Sequence, residues 1–597
     1  MAMKGRLSRF ALLALIAITL AVRTSFPQRQ VLTWDVFGYY LYLPATFIHD
    51  DIGLKDDTWL DEVMTTHPPS ATLYQVVDGA DGNRVIKYSS GMALLYAPFF
   101  FVAHVLAAPL GYPADGFSAP YQLAITFGCL AFALFGLVLL RMVLLHFFDD
   151  RWSAALLVLI ALGTNWFQLA AWDGTLLTHP ALFTLYAFLL LATIRWHLTP
   201  SWSWALVMGV SLGLITTIRP SELVVFLVPL FWGLHDAAAR RAKWRAITGN
   251  LAQLLVAALI LLVVVSPQLF YWHATTGQWI FYSYVNPGEG FDLDSPHLRP
   301  FLVSFRKGWF IYTPLMVLAV AGIPWLWKRV PQAFWAVLIF LIVDVWIVSS
   351  WSCWWYAGGS FSSRSMVPTY VLLALPVGAV LQWAWERRYT RIVSIAFCLG
   401  CVILSLFQTW QWANGIISKE RMTKAYYKAV FARTKVPAGA DRLLLVERPL
   451  GNEEHLVEEE GYIESERYLD TYDHEPDGAF SMDAEHPFTP AFESTFAELT
   501  GKDHAWLRMS GRVLLADSSV GTPTAVIHFE HDGGTYKYMA RDLIVPDGPR
   551  GTWVPFSVDY ITPEVRSRQD RVKAYLWNRS GARMRIDDLR VVVFEPR

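Results

Sequence analysis

The stretch RRAKWRAITGNLAQLLVAALILLVVVSPQLFYW, residues 240–272, decides the architecture. A cluster of four cations, Arg240, Arg241, Lys243 and Arg245, runs into an apolar segment over 250–272. A run of about 17 to 25 apolar residues is what a helix needs to cross the hydrocarbon layer. Cations beside it mark the cytoplasmic side. Working outward, runs of similar kind lie near 119–140, 153–171, 178–194, 202–218, 221–235, 309–327, 332–350, 365–385 and 391–410. Lys328 with Arg329, and Arg387 with Arg388 and Arg391, fall between runs where strict alternation requires the cytoplasmic side again. The same alternation puts loops 172–178, 273–307 and 351–363 outside, together with everything after Gln411.

Composition agrees. Apolar residues make up 54% of the 597 and charged ones only 17%, against about 25% in soluble globular chains. The 27 tryptophans and 25 tyrosines suit membrane–water boundaries, where amphipathic rings settle. A net charge of −1 offers no footing for nucleic acid. Cys398 and Cys401 form a C-x-x-C inside an apolar run, which reads as helix packing rather than a redox pair. The basic N-terminus and the run from Phe10 to Val22 read as an uncleaved first helix rather than a signal peptide. One run resists the alternation. Residues 91–110 would begin and end outside, and with Pro98 and Pro109 they are expected as an interfacial or re-entrant hairpin.

From about 440 the texture changes to dense charge and period-two alternation, as in Val572, Ala574 and Leu576, with turns at DGG, PDGPRG and NRSG. That pattern predicts an antiparallel sandwich over 441–597, joined by a linker over 412–440. The expected fold is therefore a polytopic α-helical membrane domain (1–411, about 11–13 helices) with a C-terminal all-β, jelly-roll-like sandwich.

The long outer loops, 24–89 and 273–307, are where side chains for chemistry are sought. Asp35, among aromatics just past the first helix, can act as a general base, ligate a divalent ion or cap a helix. Asp173 and His179 lie in the outer loop Trp-Asp-Gly-Thr-Leu-Leu-Thr-His-Pro, where turn and capping roles compete with function. Lys87 and Tyr88 stand where the first outer loop returns to the membrane. Arg219, Arg306, Lys307 and Arg364 are cations on a face that usually lacks them, which points to an anionic, lipid-linked substrate. Trp354 and Trp355 offer rings for sugar faces or for the interfacial belt. P-loop, H-E-x-x-H and G-x-S-x-G signatures are absent, so ATP hydrolysis and zinc-protease chemistry lose their usual marks. Asp344 is the one notable acid within an apolar run.

This arrangement resembles the GT-C superfamily of polytopic glycosyltransferases, especially bacterial relatives of protein O-mannosyltransferases and lipid A aminoarabinose transferases. The resemblance covers roughly residues 8–410 and rests on Asp35 after the first helix, Asp173 in a later outer loop, Lys87-Tyr88 and the segment RKGWFIYTP, residues 306–314. It departs at Val36, where the family usually has a second acid, and at Ser89-Ser90-Gly91, where prolines are usual. The resemblance implies inverting sugar transfer from a polyprenyl-phosphate donor to a glycan, lipid or protein acceptor outside a bacterial cytoplasmic membrane. Asp35 would be the base and Asp173 would position the acceptor or a divalent cation. Lys87, Arg219 and Arg364 would meet the phosphate. A transporter or flippase of lipid-linked glycans is the competing class, and a non-catalytic anchor the third. Tyr575-Leu-Trp577-Asn578 and the Ile586-Asp-Asp-Leu-Arg-Val-Val ending look like a jelly-roll carbohydrate-binding module, to bind glycan or only shield the outer face.

Overall fold

The computed structural model describes residues 5–28, 30–284, 289–355, 358–448, 455–457, 459–515, 521–543 and 551–597. It divides into two compact units at Leu444 and Leu445. In the first, helix α1 (Arg6–Ser25) is followed by the short α2 (Asp35–Tyr40), the ribbon β1 (Val76–Asp78) and β2 (Arg84–Ile86), and α3 (Gly91–Ala107). Then come α4 (Ala119–Phe147), α5 (Asp150–Leu162), α6 (Thr178–Leu198), α7 (Trp202–Ile218) and α8 (Leu251–Thr276). The set closes with α9 (Leu315–Arg329), α10 (Phe334–Ser349), α11 (Tyr370–Ala384) and α12 (Arg388–Ala413). Among the described residues, seven helices are long and apolar enough to cross a membrane, and a bent pair makes an eighth. Three shorter apolar helices, of 10–17 residues, accompany them. This is a multi-pass membrane protein.

Contacts fix which helix ends lie together. At the near end, the Leu7 and Ser8 amides donate to Asp150, and Arg141 donates to the Gly5 carbonyl at 3.1 Å. At the far end, the Val31 amide donates to Gln122 at 2.9 Å and Arg23 donates to the Trp172 carbonyl. Arg23, whose charge interrupts the first apolar run in sequence, thus sits in the last turn of α1 with a partner. Lys243 donates to the carbonyls of Pro229, Leu230 and Trp232, closing the end of the Pro220–Phe231 segment at the near end.

The run 91–110 is not a hairpin. It is one helix of spanning length, continued by a single turn to Leu110. Both of its ends nevertheless touch far-end elements. Gly91 packs directly on the last residues of α7, where a Cβ would meet the Ile218 nitrogen at 2.3 Å. His104 reaches Tyr121 in the first turn of α4, and Phe101 lies 4.9 Å from Phe47. Pro98 lies inside this helix without breaking it.

Helix α5 breaks after Gly163 and turns by 65° into Trp166–Asp173, which ends as a π-helical turn over Leu169–Asp173. The break has a visible cause. Thr164 bonds back to the Ile160 carbonyl, and the Asn165 amide turns away to Ser360 and the Ser363 carbonyl. Residues 412–440, expected as a linker, fold onto the first unit. Trp412, Ile416, Ile417, Met422, Tyr426 and Val430 form one apolar cluster with Tyr312 and Phe361.

The second unit, Leu445–Arg597, is an antiparallel sandwich. One sheet runs β5 (Phe492–Thr495), β10 (Arg571–Trp577), β7 (Thr524–His531), β8 (Gly534–Asp542). The other runs β3 (Tyr462–Asp470), β11 (Met584–Pro596), β6 (Trp506–Leu515), β9 (Trp553–Ile561), with β4 (Phe480–Met482) also paired to β11. Val572, Ala574 and Leu576, the alternation read in the sequence, are buried against Leu507, Met509 and Val593 of the facing sheet.

Candidate functional site

The first outer loop returns on itself so that residues far apart in sequence meet at Asp35. The carboxylate opens α2, where Trp34 stands in the left-handed region at φ 52°. The Trp34 amide donates to the Pro69 carbonyl, and the Gln75 amide donates to the Trp34 carbonyl, which pins this strained entry. Asp35 Oδ1 accepts from the hydroxyls of Tyr88, at 2.8 Å, and Tyr74, at 3.0 Å. Its Oδ2 accepts from Arg364 Nη2 at 3.0 Å. The Lys87 ammonium lies over the rings of Tyr284, Tyr74 and Tyr88, at 5.0, 5.7 and 5.8 Å. Burial alone would raise the Asp35 carboxyl. The Arg364 guanidinium, the two tyrosine hydroxyls and Lys87 outweigh it and hold the group below the ordinary carboxylate range. The side chain keeps 24% of its surface open, so the carboxylate is fixed yet reachable.

Three of the segments singled out in sequence thus converge: Asp35, Lys87 with Tyr88, and Arg364. Tyr74, Tyr284 and Tyr39, whose ring lies 4.6 Å from Tyr88, complete the site and were not expected. Their only sequence mark is the aromatic richness of both outer loops.

Arg364 is held by the loop it belongs to. Asn165, freed by the break after α5, donates to Ser360 and the Ser363 carbonyl while accepting from Tyr370 at 2.7 Å. The segment 306–314 supplies the floor, with Trp309 Nε1 donating to Tyr370 and Thr313 sharing a hydrogen bond with Ser362. Gly358 and Gly359 both adopt positive φ, and a Cβ on Gly359 would meet Arg364 Nη1 at 2.1 Å. That position requires glycine.

Asp173 lies in the π turn. It accepts from Gln168 Nε2 and from Trp412 Nε1, at 2.5 and 2.8 Å. Gln168 also donates to the Gly359 carbonyl, which ties the turn to the Arg364 loop. Asp35 and Asp173 nevertheless share no hydrogen-bonding partner among the described residues. Lys307 is buried and donates to the Gly358 carbonyl at 2.9 Å, with Trp412 under its ammonium. Burial, then the charge of Arg364, draws its pKa well below the ordinary lysine value. Arg306 stacks on Trp355 at 3.9 Å and donates to the Glu420 carbonyl, while Trp354 meets Trp355 edge-on. His179 and Arg219 are set deeper, where α6 starts and α7 ends. Arg219 lies 3.8 Å from Glu222, which also accepts from Tyr186, and His179 stands within the fields of Arg219 and Arg364. Glu222 is as buried as Asp344, a second interior acid that its place beside Arg219 and Pro220 had disguised as a loop residue.

The donor set does not suit a divalent cation. Both oxygens of Asp35 face three donors, one of them a cation, and Asp173 faces two. Among the described residues, His, Cys, Asp and Glu side chains form no group of three or more that could hold a metal ion.

No family model and no curated protein matches the sequence. Solved structures do. One is ArnT from Cupriavidus metallidurans bound to undecaprenyl phosphate, at 16% identity over 65% of this chain and 63% of that one, with a TM-score of 0.37. Another is the Archaeoglobus fulgidus oligosaccharyltransferase tethered to an acceptor peptide, at 15% identity over 76% and 60%, with a TM-score of 0.44. The chain spans about three fifths of the length of these structures.

Proposed function

We propose that the chain is a GT-C-type glycosyltransferase that moves a sugar from a polyprenyl-phosphate-linked donor to an acceptor hydroxyl at the outer face of a bacterial cytoplasmic membrane. The observation that carries this reading is the Asp35 carboxylate, clamped by Arg364, Tyr74 and Tyr88 with Lys87 beside it. A carboxylate held ionised by charge is a weak base toward a resting hydroxyl. It becomes competent as the new C–O bond forms and the hydroxyl turns acidic. The acceptor oxygen attacks the anomeric carbon, Asp35 takes the proton, and the sugar–phosphate bond breaks with inversion. The departing phosphate carries its charge away toward Lys87 and Arg364, with Arg219 deeper. Asp173 would hold the Trp412 segment and the Arg364 loop in register for the acceptor. No metal enters a step.

The side assignment rests on cations at the near end, including Lys243 and the paired Arg329, which favour the cytoplasm. It makes the C-terminal sandwich extracytoplasmic. The test is transfer from synthetic polyprenyl-phosphate sugars by purified protein without an energy source. Transfer in the wild type and its loss in Asp35→Asn are expected, and a variant that transferred at the wild-type rate would sink the assignment. One observation favours a second reading, a transporter or flippase of lipid-linked glycans: Glu222 and Asp344 are both buried within the helices beside Arg219, and Asp344 Oδ2 has no hydrogen-bond partner among the described residues. Translocation in liposomes without sugar transfer would support it.

A further inference from the structure

The cations at 240–245 lie on a helix of their own, Ala237–Gly249, which the proposed sugar transfer does not use. Asp236 caps it, accepting from the Ala239 amide at 2.8 Å, and Asn250 alone separates it from α8. Its two faces differ. Ala239, Lys243, Ala246 and Ile247 fall on one stripe and are half-buried. Ala246 and Ile247 pack on the core of the membrane unit, and Lys243 donates to the carbonyls of Pro229, Leu230 and Trp232. Burial draws the Lys243 pKa down to about 8. At about 100° per residue, Arg240, Trp244, Arg241 and Arg245 share the other face. All four are exposed, Trp244 by 68%.

Two neighbours fix the depth of this helix. Helix α8 begins at Leu251, and its residues Leu251, Leu255 and Leu259 are 54%, 62% and 57% exposed, the mark of a surface that faces lipid. Arg245 lies before Leu251 by about 9 Å of helix even if the chain ran straight. Headgroups occupy about 5 to 8 Å beyond the hydrocarbon, and an arginine side chain covers the remainder. On the inward face, the bonds from Lys243 hold the middle of the helix level with the end of the apolar segment Pro220–Phe231. The helix therefore lies at headgroup depth along its length.

Charge complementarity names the occupant. Among the described residues, the side chains of Arg240, Arg241 and Arg245 form no ion pair, hydrogen bond or ring stack. Arg141 and Arg329, at the same end, are partnered within the protein by Gly5 and Glu386. Three uncompensated guanidiniums around one exposed indole suit a surface of phosphate esters. The planar fork takes phosphate oxygens two at a time, and the indole settles where headgroup meets acyl chain. We propose that this face binds the phosphodiester headgroups of anionic phospholipids in the near-end leaflet, with Arg240, Arg241 and Arg245 on the phosphates and Trp244 between the lipids. The site stands at the opposite end of the unit from Asp35 and does not depend on sugar transfer. A cluster that only set the sides during insertion would leave no such lipid preference in the folded protein.

The test uses full-length protein in a neutral detergent, titrated with phosphatidylglycerol or with phosphatidylcholine of the same chains, and bound lipids are resolved by native mass spectrometry. The first phosphatidylglycerol should bind about tenfold tighter than phosphatidylcholine or better, and should weaken as salt rises. Arg241→Gln and Arg245→Gln should each weaken it about fivefold. Trp244→Ala keeps every cation, and with them the signals for insertion, and should also weaken it. Arg388→Gln removes an exposed cation at the start of α12, at the same end, and should leave it unchanged. Three outcomes overturn the proposal: equal affinity for the two lipids, equal losses in Arg388→Gln and Arg241→Gln, or binding that Arg241→Gln and Trp244→Ala both leave intact. Displacement of the lipid by RNA or by inorganic polyphosphate in preference to phosphatidylglycerol would also overturn it.

Discussion

Asp35 and Asp173 sit at the same end of the helical unit, each just past a helix and each beside aromatic residues, yet their surroundings differ in kind. Asp35 is met by a guanidinium and two hydroxyls and keeps an open edge. Asp173 is met by an amide and an indole, both neutral, in a turn whose preceding residues are buried. Charged partners stabilise the ionised form directly, whereas neutral donors mainly satisfy the oxygens. Under the proposed function, the difference would separate a carboxylate prepared for proton transfer from one that fastens two segments together.

The largest effect should therefore fall on Asp35. Asp35→Asn should lower transfer about 10²–10⁴-fold, while Asp173→Asn, which can still accept from Trp412, should lower it less than about tenfold. Equal losses would erase the distinction. Next comes Arg364→Lys, which keeps the charge but not the planar fork. A decrease in kcat/KM on the order of 10-fold to 100-fold is expected, and no decrease would mean that charge alone suffices.

A third measurement is the acid limb of the pH–rate profile. Asp35 is held below the ordinary carboxylate value of about 3.9. Activity should thus persist as pH falls past that value and fail only at the depressed one. Tyr88→Phe removes a hydroxyl that lowers the Asp35 pKa, so its acid limb should shift to higher pH. A shift in the other direction would contradict the geometry. The same group makes folding pH-dependent. Its stabilisation is complete above the unfolded value and is lost as pH falls through the depressed one. The smallest effect belongs to Trp412→Phe. Losing one hydrogen bond to Asp173 should cost about 1 kcal/mol in unfolding free energy and leave transfer within about twofold.

Much of this was legible in the sequence, for stated reasons. Apolar runs and basic clusters report helices and sides because the bilayer imposes both. Asp35, Lys87 and Arg364 stood out because charge at that face needs a reason. What stayed hidden depends on contacts over long separations. Tyr74 is 39 residues from Asp35, and Trp412 is 239 residues from Asp173. The break after α5 is equally silent, since Gly163-Thr164-Asn165 also fits an uninterrupted span, and only the pull of Ser360 and Tyr370 on Asn165 opens it. Residues 412–440 read as a linker because cations such as Lys419, Arg421, Lys424 and Lys428 interrupt their apolar residues, and the cluster that anchors them takes its other half from Tyr312 and Phe361.

Helix α3 bears on how such a chain is inserted. It is apolar enough and long enough to pass as a span, yet both its ends remain with the far-end elements. An insertion machinery that judged each segment by hydropathy alone would thread it through and reverse every later helix. The cations at the near end supply the correction, since reversal would drag Lys243, Arg329 and their neighbours across. Reporter fusions within 111–118 and within 24–89 should therefore mature in the same compartment, and removing the basic cluster at 240–245 should be the change that lets α3 slip into the wrong orientation.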